Sequence, residues 1–179
     1  MKYSSTIYII LTCYLFLSCD DTIVNTSMDC NDIYNDMQLE SFNLEDLNPN
    51  SSSYSYNINP DSYSGRVRLF YFSTNENWVT CINRFGSLND LFVEYQGSVL
   101  EDIMIIGIGG NNNIEVDNIV SGNIIPWLKD DDVNNVWSNW NASNRDLFFM
   151  DKQGNYSYKI NLTSGFNSQY IKNIIDCIE

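Results

Sequence analysis

The residue best placed to do chemistry in this sequence is Cys81, which ends the stretch GRVRLFYFSTNENWVTC (Gly65 to Cys81). An apolar, aromatic strand is predicted over 67–72, a short polar loop over 73–77, and a helix from about residue 82. This order places the thiol in the first turn of the helix. A helix N-terminus carries unpaired N–H groups and partial positive charge, and both favour thiolate over thiol. The stretch therefore predicts an activated cysteine.

Composition narrows the chemistry further. The sequence contains no histidine, which excludes Ser-His-Asp catalysis, Cys-His catalysis and histidine-containing zinc sites. With 9 basic and 23 acidic residues, the net charge of the 179-residue chain is −14. Such a surface repels phosphate backbones, so we expect no nucleic-acid partner. We also expect no cofactor and no metal.

The N-terminus has the pattern of an export signal. Lys2 supplies the positive end, and the apolar run from Ile7 to Leu17 is too short for a comfortable membrane span. The run leads into Phe16-Leu17-Ser18-Cys19, which resembles a bacterial lipoprotein signal. The resemblance implies removal of residues 1–18, lipidation of Cys19, and a membrane-anchored protein of the bacterial cell envelope, facing the periplasm or the exterior. A plain secretory signal is the alternative.

With either type of signal the protein would be exported to an oxidising compartment, which permits disulfides. With Cys13 discarded in the signal and Cys19 lipidated, three thiols are left: Cys30, Cys81 and Cys177. Cys30 precedes the domain and Cys177 ends it, and chain termini are often close together. We therefore favour a Cys30–Cys177 disulfide that leaves Cys81 free. Free or buried thiols at these positions are the alternative.

Residues 19–38 are polar and are predicted to form a tether, and 39–179 are predicted to form one domain. The part from 39 to 65 is rich in turn residues, with room for a short strand near 42–44. Beyond it, strands and helices alternate. The predicted strands are 67–72, 103–108, 124–128, 147–150 and 156–160; the predicted helices are 82–95, a weak one within 114–120, one after 130–132, and 168–178. This order indicates an α/β fold with an antiparallel hairpin near the C-terminus.

Two details of this assignment can be checked in a structure. Pro126 interrupts the predicted strand 124–128, so the N–H side of the ladder is not expected to be paired at that residue. Asp130, Asp131 and Asp132 are expected to cap the helix that follows them rather than to bind a cation. That helix is expected to bury four side chains, namely Val133, Val136, Trp137 and Trp140.

Three motifs, taken in order, resemble those of thioredoxin-like redoxin and peroxiredoxin-related proteins. FNLEDLNPNSSSYSYNINPDSYSGRVRLFYF resembles the entry to redoxin domains, 125–130 (IPWLKD) the strand "PVLxD", and 147–154 (LFFMDKQG) the hairpin "FxxDxxG". Leu88-Asn89-Asp90-Leu91, seven residues after the cysteine, is similar to the N-terminal domain of selenoprotein P. The resemblance covers about 39–179. It implies a thioredoxin-like fold, with a central mixed sheet flanked by helices, a C-terminal hairpin and a closing helix.

The resemblance also implies roles for site residues. Relatives use Cys-x-x-Cys, and the matching residues here are Trp78, Val79, Thr80 and Cys81. Cys81 occupies the resolving position, and Trp78 stands where the attacking cysteine belongs. A dithiol–disulfide cycle within this motif is therefore impossible. Trp78 is expected to cap the site.

A second alignment, with the motif of peroxiredoxins, is compatible with redox chemistry at Cys81. The peroxiredoxin motif Pro-x-x-x-Thr-x-x-Cys also ends at Cys81, although Thr74 replaces its proline and Trp78 its threonine. Arg145 stands where an arginine of these relatives holds the thiolate. We thus carry two hypotheses. One is thiol–disulfide or peroxide chemistry at Cys81, with Arg145 as helper and a thiol reductant or client as partner. The other is a binding or scaffold module that has lost catalysis, with Cys81 buried and inert and Arg145 solvated.

Overall fold

The computed structural model describes residues 28–33, 38–74, 77–96, 102–111 and 116–179. The predicted signal segment, 1–18, and Cys19 lie outside the described residues. The strands are β1 (Leu44–Glu45), β2 (Asn57–Ile58), β3 (Val67–Ser73), β4 (Ile103–Gly109), β5 (Trp127–Lys129), β6 (Asp146–Met150) and β7 (Tyr156–Asn161). The α-helices are α1 (Val79–Gln96), α2 (Asp117–Val120), α3 (Val136–Asn139) and α4 (Ser168–Ile178), and two 3-10 helices cover Cys30–Asp32 and Pro60–Tyr63.

A mixed five-stranded sheet forms the centre of the domain, in the order β5-β4-β3-β6-β7. The neighbours β3, β4 and β5 run parallel, whereas β6 is antiparallel to both β3 and β7. Every residue of β3 and β4 is buried, as expected for strands covered on both faces. The predicted α/β order and the C-terminal hairpin are confirmed.

Close packing between the sheet and α1 explains a glycine in β4. A Cβ atom at Gly107 would lie 2.2 Å from Cε3 of Trp127 and 2.7 Å from Cε2 of Phe85. Both rings are fully buried and pack edge to face, with centroids 4.9 Å apart. Gly107 is therefore required by the close approach of these two rings to the strand.

The segment before β3 is fixed to the sheet by a buried aspartate. Asp46 forms an isolated bridge with Leu128, and its Oδ1 accepts a hydrogen bond from the N–H of Trp127 (3.1 Å). Its Oδ2 accepts hydrogen bonds from the hydroxyls of Ser51 and Ser53. The carboxylate thus joins the loop between β1 and β2 to the outer edge of β5.

A buried arginine performs a similar task at the start of β3. Arg68 has no exposed surface, and its guanidinium donates to the carbonyls of Pro60 (2.6 Å) and Asp151 (2.7 Å). Burial lowers its pKa, and the nearby carboxylates of Asp61 and Asp151 oppose that shift. The side chain connects the 3-10 helix Pro60–Tyr63 to the turn between β6 and β7.

The N-terminal segment 28–33 is attached to the end of the domain. A disulfide joins Cys30 to Cys177 of α4, the pairing favoured by the sequence, with Cα atoms 5.4 Å apart. Met28 and Ile33 pack partly buried against the core. Residues 28–33 therefore lie on the domain, within the region predicted to be a tether.

Two predicted elements differ from the structure. The predicted strand 124–128 is shifted to Trp127–Lys129, because Asn48 Nδ2 holds the carbonyls of Asn123 and Ile125 at 2.9 and 2.8 Å. The prediction that Val133 faces inward is wrong: the side chain is 92% exposed, because α3 begins only at Val136.

The aspartates before α3 act as caps. Asp130 accepts hydrogen bonds from the N–H groups of Val136 (2.9 Å) and Trp137 (3.0 Å), the arrangement expected of a capping carboxylate. Asp131 accepts from the N–H of Asn134 (2.7 Å), and this hydrogen bond is the main reason why its pKa is lowered. In the described part of the chain, no group of acidic or cysteine side chains is arranged to hold a metal ion.

None of the helices within the described ranges is both long and apolar enough to cross a membrane.

Candidate functional site

The predicted site lies where the central strand passes into the first long helix. β3 ends at Ser73 and α1 begins at Val79, with residues 75–76 of the connection outside the described ranges. The carbonyl of Trp78 accepts the N–H of Ile82 at 3.0 Å, which closes the first turn of the helix. Cys81 lies in that turn, as the sequence predicted.

The thiol of Cys81 has no access to solvent. The residue is 0% exposed, and it is the one cysteine outside a disulfide in the part of the chain that the structure describes. Its Sγ lies 4.0 Å from Oδ1 of Asn144, a position compatible with a weak S–H···O hydrogen bond. The same oxygen accepts the N–H of Thr74 at 3.0 Å. Asn144 thereby links the end of β3 to the thiol.

Arg145 lies beside this asparagine in an uncommon backbone conformation. Its φ is +69°, in the left-handed region that arginine rarely adopts. Its N–H donates to the carbonyl of Phe72 (2.8 Å) and its carbonyl accepts the N–H of Leu162 (2.9 Å). Both backbone groups are thus occupied within the domain.

The side chain of Arg145 extends over Trp78 rather than into open solvent. Its guanidinium carbon lies 5.7 Å from the centroid of the Trp78 ring, within the range of a cation–π contact. Nη1 is 3.4 Å from Oγ1 of Thr163, and the buried Nε has no hydrogen-bond partner. Arg145 is therefore half-buried and in contact with an aromatic ring, whereas the sequence left its solvation open.

Tyr71 was not identified from the sequence, yet it lies close to the thiol. It is a fully buried residue of β3. Its pKa is raised, chiefly by burial and then by Cys81, while Arg145 and Arg84 oppose the shift. A thiol, a phenol and two guanidinium groups thus share one neighbourhood. The sequence does not indicate that Tyr71 lies near the thiol, because an aromatic residue is common in an apolar strand. It does not indicate the contact of Asn144 with the thiol either, because asparagine is typical of turns.

Three consecutive residues form the exposed surface of the site. Trp78 is 54% exposed, Val79 is 71% exposed, and Thr80 is also exposed. The other three tryptophans behave as predicted for core residues, with Trp127 and Trp140 buried and Trp137 partly buried. The site therefore offers an aromatic and aliphatic contact surface on the outside and a protected thiol beneath it.

The fold has many counterparts among solved structures. A secreted disulfide oxidoreductase of Mycobacterium tuberculosis homologous to E. coli DsbE is 17% identical, with a TM-score of 0.58 over 75% of this chain and 94% of that one. An uncharacterized conserved protein from Geobacillus kaustophilus is 16% identical (TM-score 0.62, 79% and 80% covered). Yeast Sco1 with copper bound is 12% identical (TM-score 0.61, 78% and 87% covered).

These likenesses establish the architecture. The chain has the α/β thioredoxin-like fold that the sequence resemblance predicted. Its structural neighbours include thiol–disulfide oxidoreductases. No protein-family model matches the sequence, and no curated protein matches it. At identities of 11–17% the likeness extends to the fold, and the chemistry has to be argued from the site itself.

Proposed function

We propose that this chain is a lipid-anchored, extracytoplasmic thioredoxin-fold module that binds a partner protein without dithiol exchange. One observation carries the proposal. The thiol at the resolving position, Cys81, is 0% exposed, while the attacking position presents a tryptophan, Trp78, that is 54% exposed. The position that would meet a substrate first has become an aromatic contact surface.

The chemistry of disulfide exchange supports this reading. An exchange cycle needs an accessible thiolate to attack and a second thiol to release the mixed disulfide. A resolving cysteine can be buried because it reacts only with a mixed disulfide on its neighbour in the motif. Trp78 cannot form one. Cys30 and Cys177 are joined to each other, so in the described residues Cys81 has no second thiol to react with.

The exposed surface has the composition of a protein contact. Trp78 and Val79 are both more than half exposed at the start of α1, and Arg145 lies against the tryptophan ring. Tryptophan and arginine are enriched among residues that dominate binding energy at protein interfaces. Because the backbone groups of Arg145 are hydrogen-bonded within the domain, we expect side-chain contacts rather than strand addition to carry the binding.

A second candidate function is single-thiol redox chemistry at Cys81. It is favoured by the position of Arg145, which directly follows Asn144, the residue whose Oδ1 lies 4.0 Å from the Sγ of Cys81. A guanidinium near sulfur stabilises thiolate and can orient a peroxide oxygen. This function requires the thiol to become accessible.

The location is proposed on separate grounds. The pattern Phe16-Leu17-Ser18-Cys19 supports lipidation of Cys19, and the disulfide between Cys30 and Cys177 suits an oxidising compartment. One structural neighbour is described as secreted, in agreement with an extracytoplasmic role.

The two candidates are separated by crosslinking from the contact surface. A photo-crosslinking residue placed at position 78 should capture a partner in the native envelope, and it should do so equally well in the Cys81→Ser background. The matched control is the same residue at position 133, since Val133 is an exposed apolar side chain outside the site. Capture that is lost with Cys81→Ser would refute the binding proposal and favour the redox candidate.

An activity assay tests separately whether the protein catalyses disulfide exchange. Wild-type protein should not accelerate reduction of a protein disulfide by dithiothreitol, whereas Trp78→Cys should acquire a disulfide between positions 78 and 81. Acceleration by the wild-type protein that disappears with Cys81→Ser would contradict the proposed function.

A further inference from the structure

The disulfide between Cys30 and Cys177 joins the region predicted to be a tether to the end of the domain. Cys30 lies in the short 3-10 helix Cys30–Asp32, and Cys177 lies in the last turn of α4. The sequence separation is 147 residues. The bond therefore connects the membrane-proximal part of the chain to an element far from it in sequence.

Apart from this bond, the segment 28–33 is weakly held. None of its residues is fully buried, and only Met28 and Ile33 pack partly against the core. In the described part of the chain, all its hydrogen bonds are internal: Asp29 accepts from Asn31 and Asp32, and Cys30 accepts from Ile33. No salt bridge joins it to the rest of the described residues. The covalent bond is thus its principal attachment.

Among the described residues that follow, the next contacts with the domain are at residues 39–42, beginning with Leu39, which packs partly buried against the core. The carbonyl of Glu40 accepts the indole N–H of Trp140 at 2.8 Å, and Phe42 is buried in an aromatic cluster with Phe70 and Trp140. If the disulfide opens and segment 28–33 leaves the domain, the next described contacts that hold the chain are those of residues 39–42.

We propose that the Cys30–Cys177 disulfide is a redox-controlled clasp that sets how far the domain reaches from the membrane. This rests on the proposed anchor at Cys19. From residue 19 to residue 30 a fully extended chain spans at most about 37 Å, and from residue 19 to residue 40 about 71 Å. Reduction of one bond thus nearly doubles the maximal reach, and it removes the covalent link between the N-terminal segment and α4.

The reaction is a two-electron exchange with a dithiol protein of the same compartment. Cys30 is an exposed residue, and a thiolate of that protein attacks its sulfur. Cys177 then leaves as a thiolate and takes up a proton. The second thiol of the reductant then releases Cys30 as a thiol, and the reductant becomes a disulfide. Cys81 takes no part, because it is buried.

The test uses the full lipidated chain with a specific protease site inserted between Asp36 and Met37, bound to phosphatidylcholine vesicles. Cutting alone should leave the domain on the pelleted vesicles, because the disulfide still holds it. Cutting followed by dithiothreitol should release nearly all of it into the supernatant. With Cys30→Ser, cutting should release it without reductant. The Asn31→Ser variant, an exposed change next to Cys30, is the matched control and should behave as wild type.

Two results would overturn the clasp. One is a cut and reduced domain that stays with the vesicles, which would mean that packing of Met28 and Ile33 holds the segment. The other is loss of native tryptophan emission on reduction, which would mean that the domain unfolds instead of changing its reach.

Failure of the anchor itself gives a different result. If uncut protein does not pellet with vesicles, lipidation at Cys19 is refuted. Release of the cut fragment is then read by gel filtration with and without dithiothreitol, and co-elution after reduction would still refute the clasp.

Discussion

Removal of the Cys30–Cys177 disulfide should destabilise the domain by an amount that follows from loop length. The bond closes a loop with a sequence separation of 147 residues, and segment 28–33 contributes few other contacts. The loss is therefore dominated by the greater freedom of the unfolded chain. The chain-entropy relation gives about 5 kcal/mol at 25 °C for a loop of this length. For a domain of this size that corresponds to a fall in Tm of about 10–20 °C.

The measurement is urea unfolding of the double variant Cys30→Ser/Cys177→Ser, followed by tryptophan fluorescence. Oxidised and reduced wild-type protein are measured beside it, and reduced wild type should match the double variant. Asn31→Ser, an exposed change in the same segment, serves as control and should alter the free energy of unfolding by less than about 0.5 kcal/mol. A loss below about 1 kcal/mol in the double variant would refute the loop-closure reasoning.

Three further predictions concern the core. Arg68→Met should lower the free energy of unfolding by about 3 kcal/mol in urea titrations, because two buried carbonyls lose a charged donor; an unchanged midpoint would contradict this. Gly107→Ala should cost about 3 kcal/mol or more in thermal unfolding, since the new methyl group would overlap the ring of Trp127; a Tm within 2 °C of wild type, less than about 1 kcal/mol, would count against it. Burial raises the pKa of Tyr95 to about 12 and that of Tyr71 higher still; the neutral phenols favour the folded state, so stability should be complete below pH 10 and fall above it. Absorbance at 295 nm should show a group of tyrosines, Tyr71 and Tyr95 among them, that ionise at higher pH than an ordinary phenol, and ordinary titration of every tyrosine in the mature chain would refute this.

Much of the fold could be predicted because the apolar spacing is strong in its longest elements. The helix predicted over 168–178 has those bounds in the structure, with Asn167 as its cap, and the runs 67–72 and 103–108 form two of the fully buried strands. The elements that differ are short and depend on distant side chains. No local pattern reveals that the amide of Asn48 would hold the carbonyl of Ile125 and shift the strand toward Lys129.

The site was predictable in position but not in exposure. Strand, loop and helix placed Cys81 in the first helical turn from sequence alone. Its burial results from tertiary packing. The loop that reaches the thiol through Asn144 has a positive φ at Arg145, which the residue type does not signal. The contact between Arg145 and Trp78 joins residues 67 positions apart. It follows from tertiary packing, which the spacing of residues does not encode.

The accessibility of Cys81 is the central claim, and its alkylation rate tests that claim most directly. The measurement uses the oxidised mature chain with the substitution Cys19→Ser. Because Cys30 and Cys177 are bonded to each other, Cys81 is then the only free thiol. We expect iodoacetamide to react with it at least about 100-fold more slowly in the native protein than in the chain unfolded in urea, because reaction must wait for local opening. A native rate equal to or above that of the unfolded chain would contradict the account and establish Cys81 as an accessible, reactive thiol.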